Sequence, residues 1–413
     1  MKLKINNETI YYEKTTKFKS IAFGVDFICP FSLEKRMDFA ILTSLITETN
    51  EVFKTPKELD DYYYDNYNLG ISVGVHFEGE NQIISFGSSF VNPNFLPEKI
   101  DLVTKAFELL NITLTKPFFT EEQVEIKKNA LKNQLLNLKS NKGKYSYFQF
   151  VKYFLDGTIT ADRINQTIED IDKVTITSLY ACAKEYLTYP RTFYIAGDIN
   201  EEMVEEGIKK LQLPKANESI KLGSFVEKFP QKDNHETIQI EDSASKTSFL
   251  YMGYESDIDI YSSDIKALTI LCYLLGGGTL SESFRRIRTE KSLCYYVDCI
   301  KLPKNDAIYL ELETSRENYE EVVKTIKDII DDAKKGLINE EYLEILKNEI
   351  IANIDRDNDY LDRIRDDIKC EIIGLPVYSL EERKEIIKNI TKDDLTRVAK
   401  KLRLDTIYFL RGE

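Results

Sequence analysis

The sequence predicts an α+β protein of two homologous repeats, each of about 200 residues, and three observations carry that expectation. At 413 residues the chain exceeds one ordinary core and fits two or three domains. A hydrophobic fraction of 42%, with 25 Tyr and 22 Phe, supplies the apolar material for large cores. The order of periodic segments in the first half then recurs in the second.

In the first half, residues 17–29 alternate apolar and polar, with Ile21, Phe23, Val25 and Phe27 on one face of a half-buried strand ended by Pro30. Helical spacing follows from Leu33 to about Thr49. Thr55-Pro56 reads as the N-cap and first position of a helix through Tyr64. Strands are expected at 70–77 and 81–90, joined by a turn at Glu78-Gly79-Glu80. Helices are expected at roughly 96–111, 120–140, 143–156 and 175–187, before a buried strand at Thr192–Ala196.

The second half runs through the same order: a strand at Thr247–Tyr254, a buried helix at Ile265–Leu275, strands at 294–301 and 307–314, and a helix at 317–334. Two local matches fix the repeat. Thr120-Glu121-Glu122-Gln123-Val124-Glu125-Ile126 recurs as Asn339-Glu340-Glu341-Tyr342-Leu343-Glu344-Ile345, each opening a long helix with a capping residue and first-turn acids. Thr192-Phe193-Tyr194-Ile195-Ala196-Gly197 is echoed by Thr406-Ile407-Tyr408-Phe409-Leu410-Arg411-Gly412. Residues 213–235 lack periodicity and mix Pro, Gly, Ser, Asn and Lys, so the expected division is 1–212, a linker at 213–235, and 236–413. Such a linker lets the two domains face each other across a cavity.

Composition excludes several functions. A net charge of −14 argues against nucleic acid and anionic membrane as partners. No apolar run reaches transmembrane length and Met1-Lys2-Leu3-Lys4 leads into polar sequence, so a cytoplasmic protein is expected. The six cysteines form no C-x-x-C pair and read as buried thiols, Cys294 among them. Only two histidines occur, His76 and His235, and neither H-E-x-x-H nor H-x-x-E-H is present, so no resident metal is expected. His76, on an expected strand, reads as structural. The run DRDNDYLDRIRDD at 355–367 reads as a salt-bridged surface helix, and the acidic, tyrosine-rich stretch at 58–65 as a solvated helix face.

One stretch stands apart. From Leu274 to Tyr296, a triple glycine (Gly276, Gly277, Gly278) closes an apolar helix, a short basic segment carries Arg285, Arg286 and Arg288, and an aromatic strand begins at Leu293. Glycines permit a tight turn or a close backbone approach. Arginines and tyrosines beside them suit a carboxylate or a peptide carbonyl. The plainer reading pairs Arg288 with Glu282 and buries Tyr295 in the core.

The two-repeat plan together with Gly276-Gly277-Gly278, Ile287-Arg288 and Leu293-Cys294-Tyr295 resembles the M16 (pitrilysin-like, inverzincin) metallopeptidases. It is most similar to the small bacterial subunits related to mitochondrial processing peptidase, and the likeness covers essentially the whole chain. The resemblance implies two mostly antiparallel sheets packed with helices, facing each other as a clamshell. Active members carry H-x-x-E-H on the first long helix, where two His bind zinc and the Glu serves as base. That box falls here on Ile41, Ser44 and Leu45, and the family's two later Glu positions hold Lys127 and Gln134. The Asn-Ala of the family's substrate-pairing strand stands here as Val73-Gly74. The family's Arg and Tyr that hold the scissile peptide and its oxyanion fall on Arg288 and Tyr295.

The resemblance therefore implies a catalytically incomplete M16-type subunit. No metallopeptidase activity is expected of the chain alone, and zinc is expected only on a partner. That partner would be a zinc-bearing M16-type peptidase subunit forming a heterodimer. Arg288, Tyr295 and the glycines Gly276, Gly277 and Gly278 would contribute substrate binding for short or unfolded peptides. The alternative expectation is a zinc-free pseudoenzyme acting as a homodimeric binding or assembly module.

Overall fold

The computed structural model describes residues 2–230, 232, 236–357 and 362–413. His235 and part of the 355–367 run lie outside the described residues. In the first half the strands are β1 (Lys2–Ile5), β2 (Glu8–Lys14), β3 (Ser20–Pro30), β4 (Ser72–Glu78), β5 (Asn81–Val91) and β6 (Arg191–Gly197). Its helices are α1 (Arg36–Leu45), α2 (Pro56–Asp65), α3 (Leu102–Thr115), α4 (Glu121–Leu136), α5 (Lys142–Phe154), α6 (Ile159–Ile164), α7 (Ile168–Asp172), α8 (Ile176–Glu185) and α9 (Glu201–Lys210). The second half has β7 (Thr237–Asp242), β8 (Ser248–Glu255), β9 (Cys294–Leu302), β10 (Ala307–Thr314) and β11 (Arg403–Arg411). Its helices are α10 (Ile265–Leu275), α11 (Tyr319–Lys334), α12 (Glu340–Asp357), α13 (Asp362–Ile372), α14 (Leu380–Asn389) and α15 (Lys392–Ala399).

Local chemistry sets the boundaries. Thr55 caps α2 in a reciprocal box with Glu58, and Pro56 occupies the first helical position. The helix expected at 96–111 begins later, at Leu102, because the Asp101 carboxylate accepts from the Thr104 N–H and starts the turn there. The helix expected at 120–140 is α4 followed by a separate 3₁₀ turn at Leu138–Ser140. Strands β1, β2 and β7 were not among the expected elements.

Two sheets result. The first has the order β1-β2-β6-β3-β5-β4 and the second β7-β11-β8-β10-β9. Leaving β1 aside, the orders are the same: β2, β6, β3, β5 and β4 correspond to β7, β11, β8, β10 and β9. In each sheet one pair runs parallel, β2 with β6 and β7 with β11, while the rest are antiparallel. The chain is thus an α+β protein of two topologically matched repeats.

The chain forms two compact units, and each takes in a segment from the other half of the sequence. Unit 1 comprises Met1–Leu136, Gln166–Phe225 and Leu361–Ile373; unit 2 comprises Asn137–Asn165, Val226–Tyr360 and Gly374–Glu413. In unit 1, Ile21, Phe23, Val25 and Phe27 of β3 join residues of α1, α3 and α8 in one core. The opposite face of that sheet meets α13, where Ile364 and Ile368 are buried with Tyr194 and Ala196. The expectation of one salt-bridged surface helix over 355–367 holds for the ion pairs, Asp355 with Lys384 and Arg363 with Asp367, but not for the helix. The described residues end α12 and open α13, and α13 is half-buried, with the Arg365 guanidinium 4.9 Å from the Tyr194 ring centroid. In unit 2, α5 plays the same part, with Phe150 and Phe154 fully buried against Tyr251 and Tyr309.

Gly24 of β3 lies beneath the Tyr194 ring, where an added Cβ would collide with the Tyr194 hydroxyl and the Phe86 carbonyl oxygen. Gly24→Ala is expected to cost about 1–3 kcal/mol through overpacking. A urea midpoint unchanged from the parent would show that the ring yields without cost.

Candidate functional site

Two places in the chain bear on function, the helix that aligns with the family's metal box and the corner around Arg288. On α1, Ile41 and Leu45 are 1% and 0% exposed and belong to the core of unit 1. The Ser44 hydroxyl donates to the Ile41 carbonyl at 2.7 Å, the usual local bond of a helical serine. Lys127 is ion-paired with Glu48, and Gln134 is exposed. Two aliphatic side chains lack lone pairs and an ammonium repels a cation, so these residues do not fit a zinc ion. Among the described residues no group of three His, Cys, Asp or Glu is placed to hold a metal.

The Arg288 corner lies in unit 2. Helix α10 ends at Gly276, whose backbone approaches Asp298 and Cys299 of β9 so closely that any Cβ would overlap them. Gly278 has φ +104°, a conformation that suits glycine. These two glycines therefore have structural work in seating α10 against β9 and turning the chain away. A π-helical turn over Phe284–Thr289 follows, held down by the fully buried Ile287.

The three arginines on that turn have different fates. Glu282 accepts from Arg285 at 2.7 Å and from Arg286 at 2.8 Å. Arg286 also reaches Asp332 at 2.6 Å, and Arg285 pairs with Glu290. Arg288 is exposed and, among the described residues, in no ion pair; its guanidinium lies 4.6 Å from the centroid of Phe284. Such an exposed contact contributes about 0.5–1 kcal/mol and leaves the donors outward. The expected Arg288–Glu282 pair is thus not formed: Arg285 and Arg286, three and four residues on, both reach Glu282 Oε2, whereas Arg288 lies six residues away, outside the spacings at which helical side chains meet.

Tyr295 is 84% exposed, which excludes the core position considered for it. It sits at a bulge: Glu313 pairs with Tyr296 and Thr314 with Cys294, so Tyr295 is the residue left without a partner on β10. Bulges twist an edge strand locally and re-aim a side chain. The start of β9 is pinned by Thr314, whose hydroxyl donates to the Leu293 carbonyl at 2.6 Å. The neighbouring Tyr296 donates instead to Glu311 at 3.0 Å and Asp298 at 3.2 Å. Both the bulge and the π-turn escaped the sequence reading, though the distance of Arg288 from Glu282, six residues, already placed it beyond the pairing spacings of a helix.

The remaining candidates are structural. Cys294 is buried, and burial pushes its thiol up to about 11 despite the nearby Arg288 charge. His76 is half-buried on the outer strand β4, and burial lowers its pKa below the usual histidine range. It borders a cavity of about 200 Å³ with Asp26, Arg365, Asp366 and Lys369. The tyrosines of α2 divide: Tyr64 is 81% exposed, while Tyr62 and Tyr63 pack against the core.

Residues 173–350 match the family model described as the Peptidase M16 inactive domain. Over that segment the chain is similar to M16-type proteins. It is similar to the probable inactive metalloprotease YmfF of Bacillus subtilis, 22% identical over 422 residues, covering 100% of this chain and 97% of that one. It is also similar to the non-peptidase homologue YmxG of Helicobacter pylori, 24% identical over 337 residues, covering 73% and 72% of the two chains. In fold it is similar to a conserved protein of Enterococcus faecalis, with a TM-score of 0.91, 20% identity and coverage of 100% and 98%. The two relatives are themselves described as a probable inactive metalloprotease and a non-peptidase homologue.

Two outcomes follow from this geometry. Replacing Ile41 by His buries an imidazole in an apolar core, and the expected loss is about 2–4 kcal/mol in denaturant unfolding, without zinc uptake. Full stability with stoichiometric zinc would overturn the placement of α1. At pH 8, with its pKa near 11, the Cys294 thiol is almost wholly protonated, so iodoacetamide should spare it in the native protein. Rapid native labelling of Cys294, mapped by mass spectrometry, would contradict that.

Proposed function

We propose that this chain is the catalytically incomplete subunit of a two-chain peptidase, paired with a zinc-bearing M16-type subunit. The observation that carries the reading is the contrast among the three arginines. Two are tied to carboxylates, whereas Arg288 stands exposed and outside any ion pair among the described residues, and the bulge-mounted Tyr295 seven residues on is exposed too. A guanidinium and a phenol held this way can donate to a peptide carbonyl oxygen as it gains negative charge. Substrates would be short or unfolded peptides, extended along an outer strand such as β4, where Ser72 and Gly74 are exposed and offer little steric hindrance. The partner supplies the metal, its ligands and the base, none of which the α1 positions provide. A cytoplasmic site of action accords with the acidic composition and belongs to the same proposal.

The test is reconstitution with an H-x-x-E-H subunit that co-purifies with this chain, assayed on an unstructured fluorogenic peptide. Arg288→Ala should lower kcat by roughly 10²–10³, the range for loss of one oxyanion donor, with assembly intact. An unchanged kcat/KM would remove the role given to Arg288. A zinc-free homodimer that recruits no such subunit would favour an assembly module.

A further inference from the structure

The repeat allows the two cores to be compared residue by residue, and one buried side chain has no internal use for its polar atom. The Thr192 and Thr406 segments match, so Phe193 corresponds to Ile407. Phe193 pairs with Val25 and Ile407 with Met252, which makes Phe27, two residues on, the counterpart of Tyr254. Both are buried, at 0% and 2% exposure. Phe27 is wholly apolar, whereas Tyr254 carries a hydroxyl with no hydrogen-bond partner among the described residues. Buried polar groups are nearly always bonded, and an orphan calls for an explanation.

The surroundings differ in the same place. In unit 1 the Tyr186 ring lies 5.2 Å from that of Phe27, and its hydroxyl donates to the Leu114 carbonyl at 3.2 Å near the end of α3. Tyr186 stands six residues before Thr192; six before Thr406 is Lys400, which is exposed. Beside Tyr254 there is instead a cavity of about 450 Å³, a size that suits a small ligand. Its apolar wall is made by the buried Ile330 and Leu402 and the half-buried Leu404. Lys327 and Arg403 also border it but are paired, with Glu236 at 3.5 Å and Glu255 at 2.8 Å. Asp331 and Lys334, near the end of α11, border it as well, and among the described residues neither side chain is in an ion pair. Three residues apart, they share one face of the helix.

We infer that this cavity binds a small zwitterion with an apolar side chain, either a free apolar amino acid or a dipeptide of such residues. The Lys334 ammonium would take the carboxylate, the Asp331 carboxylate the ammonium, and Ile330, Leu402 and Leu404 the side chain. Tyr254 would donate to a ligand oxygen. Burial, with the thiol of Cys299 and the charges of Asp331 and Glu236 adding to it, holds its phenol above the usual range, so the proton stays on. A plain carboxylate suits the cavity less well, because it sets a second negative charge beside the unpaired Asp331, and a plain amine does the same to Lys334. This inference stands apart from the role of Arg288.

The test is titration calorimetry on the full chain with L-leucine and with leucyl-leucine. The controls are N-acetyl-leucine, which lacks the ammonium, and leucine amide, which lacks the carboxylate. At least one zwitterion should bind, and each blocked analogue about tenfold more weakly. Tyr254→Phe removes only the unbonded oxygen, so melting should not fall, while affinity should drop about threefold to tenfold. Lys334→Ala and Asp331→Ala should each weaken binding about tenfold with melting unaltered. Tighter binding of leucine assigns the cavity to an amino acid, and tighter binding of leucyl-leucine to a dipeptide. Absence of binding of both zwitterions at millimolar concentration, blocked analogues that bind as well, or full affinity in Tyr254→Phe would overturn the inference.

Discussion

Each sheet in this chain has two faces to bury, and the second face of each is closed by a helix from the other half of the sequence. The first faces are ordinary, with alternating apolar residues of β3 and β8 meeting helices of the same repeat. The second faces use α13 in unit 1 and α5 in unit 2, the matched helices that follow the matched long helices α4 and α12. Fully burying a side chain such as Phe150 or Phe154 stabilises by about 1.5–3 kcal/mol, so α5 is held by several such terms together. The sheets consequently read as two-sided: Gly24 and Gly253 leave room for Tyr194 and Phe154, where any larger residue would collide.

The Arg288 corner is built on the second of these sheets. Gly276 brings α10 onto β9, Ile287 plugs the π-turn into the core, and Thr314 holds the first residues of the strand. Arg285, Arg286 and Tyr296 are tied to carboxylates, whereas Arg288 and Tyr295 are exposed. An exposed side chain outside such bonds meets a ligand without first breaking them. The metal-box helix shows the opposite economy: positions that would carry ligands in an active relative are filled with aliphatic carbon and contribute packing.

Much of this was legible in the residues. The alternation of Ile21, Phe23, Val25 and Phe27, the Thr55-Pro56 start and the Thr120/Asn339 match each mapped onto a real element, because periodicity reports which face is apolar. Periodicity does not report what that face meets. Hence the DRDNDYLDRIRDD run, rich in charge, hid Ile364 and Ile368 and their burial against the first sheet. Short strands were also lost: β1 and β7 hold four and six residues, too few for alternation to rise above chance. Tyr295 was singled out by resemblance, yet its exposure comes from a bulge whose cause lies across the ladder at Thr314, out of reach of local sequence.

The exchange of helices also imposes an order on synthesis. All six strands of the first sheet have left the ribosome by Gly197, but the helix that covers its second face starts at Asp362. At 5–20 residues per second that interval is on the order of ten to thirty seconds. Throughout it the first sheet carries an uncovered face with Tyr194 and Ala196 open to water, while four strands of the second sheet emerge. The N-terminal half thus cannot finish folding on its own schedule. Its completion is timed by the C-terminal half, and a chain stopped early leaves the first sheet half-dressed.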